Sequence, residues 1–166
     1  TGRQVGDPYK LKNFDLYHSM KSNPQRWSQG GFPSFKSRKE HSMNLIIGGA
    51  YQGKRAFAKD AFSLEEAQIY SCQGADIDFS FPCIDRLEKF TLACVRTGID
   101  PIAYFQAHEA QWQNATLICQ DIFCGVVPLE AELRQWRNVT GQLCQYLSKN
   151  AQRVSRVFCG LEQRLK

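Results

Sequence analysis

Along residues 43–166 the chain alternates between short unbroken apolar runs and apolar positions at helical spacing. Met43-Asn44-Leu45-Ile46-Ile47 is a short apolar strand that stops at Gly48-Gly49. A helical pattern follows over about 54–62. Ser63-Leu64-Glu65-Glu66 then reads as a capping box that opens one short turn. A second strand is predicted around 68–71, and 74–81 reads as loop. From Pro82 onward Ile84, Leu87, Phe90 or Thr91, and Cys94 recur at helical spacing, and Gly98 ends that helix. Asp100-Pro101 opens another helix, with Asp as cap and Pro in the first turn, running to about Gln113. Thr116–Gln120 is a short buried strand. Pro128 opens a long helix to about Lys149, with Leu129, Leu133, Trp136 or Arg137, Thr140, Leu143 and Leu147 along one side. Val154–Cys159 is a last strand, ended by Gly160. Strands alternating with helices predict an α/β fold, a mainly parallel sheet flanked by helices.

Residues 1–42 break the pattern. Their aromatic and apolar residues follow neither period, and Gly30-Gly31 and Pro33 interrupt any long element. The segment holds eight Lys/Arg against three Asp/Glu, whereas 43–166 holds thirteen of each. The net charge of +5 therefore belongs to this leader. Codons for Lys39-Glu40 can spell a ribosome-binding sequence just upstream of Met43, which suggests a leader of translated upstream DNA and a natural start at Met43. The functional alternative is a basic arm for RNA or an acidic partner. The leader is expected to be poorly ordered, and the domain is expected at 43–166. Its neutral balance gives no reason to expect nucleic acid as its partner.

No apolar run approaches the roughly 18–20 residues of a membrane span, so no membrane partner is expected. The seven cysteines, at 72, 83, 94, 119, 124, 144 and 159, form no CxxC pair. Several fall on predicted core faces, the pattern of reduced thiols in a cytoplasmic protein.

The strongest chemical signal is Gly48-Gly49-Ala50-Tyr51-Gln52-Gly53-Lys54-Arg55. It fits G-x-x-x-x-G-K-[ST] at every position but the last, and it joins an apolar strand to a helix. Glycines let successive backbone N–H groups face phosphate oxygens, and the helix N-terminus adds positive partial charge. Lys54 is then the side chain that reaches the β- and γ-phosphates. Arg55 stands where a hydroxyl would hold Mg²⁺. Asp121, following the strand 116–120, is the candidate for the metal's acidic ligand, because parallel sheets present ligand groups at strand ends, with an N-terminal or turn aspartate as its alternative role. Asp76 and Asp78 are weaker candidates, with turn formation as their alternative role. The loop makes the expected fold P-loop NTPase-like.

Two stretches also resemble one family. The first is Asn44 to Lys54, beside a family strand followed by Gly-Gly-Ala-x-x-Gly-Lys-Ser. The second is Gln120-Asp121-Ile122-Phe123-Cys124-Gly125-Val126-Val127-Pro128, then Arg134-Gln135-Trp136-Arg137-Asn138-Val139-Thr140-Gly141-Gln142-Leu143-Cys144-Gln145. These resemble Asn-Glu-Val-Gly-x-Gly-Ile-Val-Pro and Arg-x-Phe-Arg-Asp-x-x-Gly-x-x-Asn-Gln of the adenosylcobinamide kinase / adenosylcobinamide-phosphate guanylyltransferase family. The chain looks like a short, divergent member.

The resemblance implies a transferase of cobalamin biosynthesis that phosphorylates adenosylcobinamide, with GTP or ATP as donor and Mg²⁺ as cofactor. It gives Gly48 to Lys54 to the nucleotide phosphates, assigns Asp121 to the metal and phosphates, and places Arg134 and Arg137 at phosphate or at a subunit interface. It also implies a homo-oligomer. Family members carry a His after the second strand that takes GMP. This chain has histidines at 18, 41 and 108, and His108 is expected to face solvent on its helix. Guanylyl transfer is thus the less expected activity. The alternative function is a non-catalytic nucleotide-binding partner or sensor in the same pathway.

Overall fold

The computed structural model describes residues 42–166. Apart from Ser42, the basic leader lies outside these residues. In chain order the elements are β1 (Asn44–Gly48), α1 (Lys54–Phe62), β2 (Ile69–Ser71), β3 (Cys83–Asp85), α2 (Leu87–Thr97), α3 (Pro101–Ala107), α4 (Glu109–Trp112), β4 (Thr116–Gln120), α5 (Ala131–Asn150), β5 (Arg153–Phe158) and β6 (Leu161–Arg164). The six strands make one sheet in the order β2-β3-β4-β1-β5-β6. β1 pairs in parallel with β4 and β5, and β2–β3 and β3–β4 are also parallel. β6 runs antiparallel to β5. The fold is α/β, as expected.

Side chains alternate across the sheet because successive strand residues point to opposite faces. Leu45, Ile84, Leu117 and Val154 join one core with Leu87, Phe90, Phe105, Trp112, Leu143 and Leu147 from the helices. Ile46, Cys83, Ile118 and Val157 join a smaller core on the other face, where Ala58 of α1 packs. The connections from β1 through α1 and from β4 through α5 therefore leave on opposite faces. The boundary between β1 and β4 is a topological switch point, the place where such sheets hold ligands.

The structure departs from the sequence expectations at several points. Residues 83–85 are a strand, and the helix expected from Pro82 starts at Leu87 after Arg86 in a left-handed conformation (φ 61°). The strand is only three residues long, and Ile84 happens to continue the helical spacing. Ser63 ends α1 in a left-handed conformation, and the capping box belongs instead to Glu65 and Gln68, around a 3₁₀ turn at Glu66–Gln68. The helix expected over 101–113 is split at His108. The long helix begins at Ala131, leaving Leu129 exposed. β6 was not expected; Cys159 and Gly160 both take positive φ (50° and 76°), which makes a tight hairpin possible.

Among the described residues no helix is long and apolar enough to cross a membrane. All seven cysteines are free. Cys72, Cys83, Cys94, Cys119 and Cys144 are buried, while Cys124 and Cys159 are exposed. Burial pushes the thiols of Cys72 and Cys83 up to about 12 and that of Cys94 to about 11. A thiol reagent at neutral pH should therefore label Cys124 and Cys159 in the folded protein and all seven cysteines in denaturant. Fast labelling of Cys72 or Cys83 without unfolding would contradict the buried positions.

Candidate functional site

The loop after β1 is shaped by contacts that its sequence alone does not display. Gly48 is buried, and a Cβ there would sit 2.4 Å from the Val157 carbonyl oxygen of β5. Gly53 caps α1 with φ 86°, a conformation that glycine adopts freely. Between them Tyr51 takes φ 58° and projects fully into solvent. The β5–β6 turn braces the loop from behind. Cys159 N–H donates to Gln52 Oε1 at 2.6 Å, and Gly160 N–H donates to the Gln52 carbonyl at 3.0 Å. On the other side Asp121 N–H donates to the Gly48 carbonyl at 2.8 Å.

A cavity of about 440 Å³ opens over this loop at the carboxyl ends of the strands. Residues 50–56 form one wall, and Asp85, Arg86, Glu88, Lys89 and Gln120 complete it. Lys54 bends back over the loop, its Nζ donating to the Gly49 carbonyl at 2.7 Å. Burial lowers the pKa of Lys54 from the ordinary lysine value, against the opposing pull of Glu88 and Asp85. Glu88 is buried, and its Oε2 accepts a hydrogen bond from Gln120 N–H at 3.1 Å. The Arg55 guanidinium donates to Asp85 Oδ2 at 3.1 Å and to Ser71 Oγ at 3.0 Å, and it pairs with Glu66. Burial opposes the charge on Arg55, but its hydrogen bonds to Glu66 and Asp85 outweigh that and raise its pKa.

The sequence candidates separate in space. Ala50 to Arg55 line the cavity, with Gly48 and Gly49 at the loop's root. Asp121 is not among the lining residues; its Oδ1 accepts from Phe123 N–H at 3.0 Å and its Oδ2 from the Cys124 thiol at 3.4 Å, so the carboxylate closes a turn. Arg134 donates to the carbonyls of Pro128 and Leu129, and Arg137 to those of Val126 and Phe123. Both arginines thereby fasten the segment between β4 and α5. Asp76 accepts from the Tyr104 hydroxyl at 2.7 Å, and Asp78 accepts from Ser80 N–H at 2.9 Å. His108 is half-buried rather than solvent-facing. It stacks on Phe79 and lies 4.4 Å, ring centre to ring centre, from Tyr104. Tyr104 lies one helical turn earlier in the sequence, but Phe79 comes from a distant loop, which the Ala/Gln/Glu surroundings of His108 do not display.

Sequence reasoning missed Asp85, Arg86, Glu88 and Lys89, because a helix was expected across them. The available signal was an acid closing a short apolar run, Cys83-Ile84-Asp85, the same logic that singled out Asp121.

The donor set does not suit a protein-held Mg²⁺. Magnesium wants oxygen ligands in near-octahedral order. Position 55 offers a guanidinium, which has no acceptor atom. Both oxygens of Asp85 are engaged, Oδ2 by Arg55 and Oδ1 by Arg86 N–H at 2.8 Å. Asp121 is used in its turn. Among the described residues no group of three or more His, Cys, Asp and Glu is placed to hold a metal. What the arrangement offers is a basic cavity, with four cationic side chains and two carboxylates, over the glycine loop. No protein-family model matches the chain, and no curated protein matches it.

Proposed function

We propose that this chain is a P-loop NTPase-like nucleotide-binding protein that acts as a nucleotide-dependent kinase, transferring a phosphoryl group from GTP or ATP to the aminopropanol hydroxyl of adenosylcobinamide. The observation that carries the nucleotide reading is Lys54, folded over a glycine loop at the switch point between β1 and β4. The corrinoid acceptor rests on the resemblance of two stretches, Asn44 to Lys54 and Gln120 to Gln145. Those stretches form β1 with its loop, and the β4–α5 connection with most of α5.

In this reading the loop N–H groups hold the phosphates. Lys54 leaves the Gly49 carbonyl to neutralise charge on the transferring group, and Arg86 and Lys89 approach from the facing wall. Guanylyl transfer through a histidine is the less supported activity, since among the described residues no histidine lines the cavity. One observation favours a second reading, a non-catalytic nucleotide-binding partner or sensor: the Arg55–Asp85 pair occupies the position where a kinase of this type usually assembles its metal.

The test is phosphorylation of adenosylcobinamide by the purified full chain, with GTP and with ATP, beside Lys54→Ala. Turnover that disappears in the variant is the expected result. Lys54-dependent binding without turnover moves the protein to the second reading. Absence of any nucleotide binding overturns both.

A further inference from the structure

We infer that the Arg55 guanidinium takes the place of the divalent cation, so that this cavity binds a nucleoside triphosphate without a metal ion. The inference rests on the nucleotide reading of the loop given above. It adds the identity of the charge that the phosphates meet.

Position 55 follows the loop lysine, where a hydroxyl ordinarily joins an acidic residue in holding the cation. Here one side chain supplies both the position and the positive charge. Arginine stays charged at any physiological pH, and its planar fork suits phosphate oxygens as well as carboxylates. The fork is fixed by three partners drawn from separate elements. These are Ser71 at the end of β2, Asp85 at the end of β3, and Glu66 in the 3₁₀ turn. Glu66 is further paired with Lys59, at 3.3 Å. The guanidinium is thus held in place before ligand arrives, which lowers the entropy cost of using it.

The same contacts work against a metal. A divalent cation beside Asp85 would meet a guanidinium already on Oδ2 and a backbone N–H on Oδ1. It would have to displace the first and share the second. The cavity has its charge without it. Lys54, Arg55, Arg86 and Lys89 line the space against Asp85 and Glu88; with Glu66, which pairs with Arg55 from outside the lining, four cations stand against three carboxylates. A fully ionised triphosphate is suited to that excess of cations. Arg86, held with φ 61° at the start of α2, is a non-glycine residue in a disfavoured backbone conformation at the cavity wall.

The test is calorimetric titration of the full chain with GTP and with ATP, once with excess Mg²⁺ and once with EDTA. Wild-type affinity is expected to differ by no more than about twofold between the two conditions. Arg55→Ser, which restores the hydroxyl and frees Asp85, is expected to bind at least about tenfold more tightly with Mg²⁺ than with EDTA. Arg55→Lys keeps the charge, and it is expected to stay metal-independent with weaker binding; it also serves if the serine variant proves unstable. Loss of wild-type binding in EDTA, by about tenfold or more, overturns the inference while leaving the nucleotide reading intact. An Arg55→Ser protein that is folded, binds nucleotide and remains indifferent to Mg²⁺ also overturns it. Absence of binding in both conditions removes the nucleotide reading and the inference with it.

Discussion

Lys54→Ala should weaken nucleotide binding by roughly a hundredfold, the worth of a lost charge-assisted phosphate contact in a partly enclosed site. The structure explains why the effect should be large. The ammonium is already poised over the loop, 2.7 Å from the Gly49 carbonyl, and is partly stripped of water. A phosphate oxygen arriving there replaces a neutral carbonyl with a charged partner. Because burial depresses the pKa of Lys54, its proton is lost at a lower pH than that of an exposed lysine. Binding should therefore weaken as pH rises, beginning below the usual lysine range. Glu88 and Asp85 moderate the shift. Titration calorimetry across neutral to alkaline pH, with the alanine variant as baseline, measures both effects. Wild-type affinity that stays flat to strongly alkaline pH, or a variant that binds as tightly as wild type, would remove Lys54 from the site. The melting temperature of the variant should stay near that of wild type, since Lys54 is only half-buried.

Gly48→Ala is the second large effect, on stability. The added methyl would sit 2.4 Å from the Val157 carbonyl oxygen and within 3.2 Å of Lys54 Cγ. The lysine stem can move, but the carbonyl belongs to the backbone of β5, beside the central strand, and cannot yield without disturbing sheet pairing. Overpacking against backbone should cost about 3 kcal/mol, at the upper end of such substitutions. That corresponds to a drop in melting temperature of roughly 10 °C for a domain of this size. Gly74→Ala is the matched control, because a Cβ there meets nothing within 4 Å. Equal melting temperatures for the two variants would show that the close approach at Gly48 is absent in solution.

The parts of this protein that could be read from sequence are those whose causes are local. The strand at 44–48, the glycine loop and the helix after it follow from an apolar run, two glycines and a periodic segment within twenty residues. The Asp100-Pro101 helix start was equally visible, and Asp100 does accept a hydrogen bond from Ile102 N–H at 2.9 Å. β3 was hidden because three residues are too few to display a period of two. Its loss also concealed Asp85, Arg86, Glu88 and Lys89, four of the five residues of the far wall of the cavity. β6 was hidden because its turn is Cys159-Gly160, whereas the recognisable hairpin signal is Asn-Gly or Asp-Gly. The half-burial of His108 depends partly on Phe79, a neighbour that only the folded chain brings to it, whereas the turn of Asp121 is closed by Phe123 and Cys124, close by in sequence.

The bracing of Gln52 by Cys159 and Gly160 has a consequence for how the protein is made. During synthesis the glycine loop leaves the ribosome long before the hairpin that supports it. β1 also lacks β5 on one side until Arg153–Phe158 has emerged. The nascent chain therefore carries the whole glycine loop without its final shape. On the nucleotide reading proposed above, competence to hold a ligand arrives only when β5 pairs with β1 and the Cys159-Gly160 turn reaches Gln52.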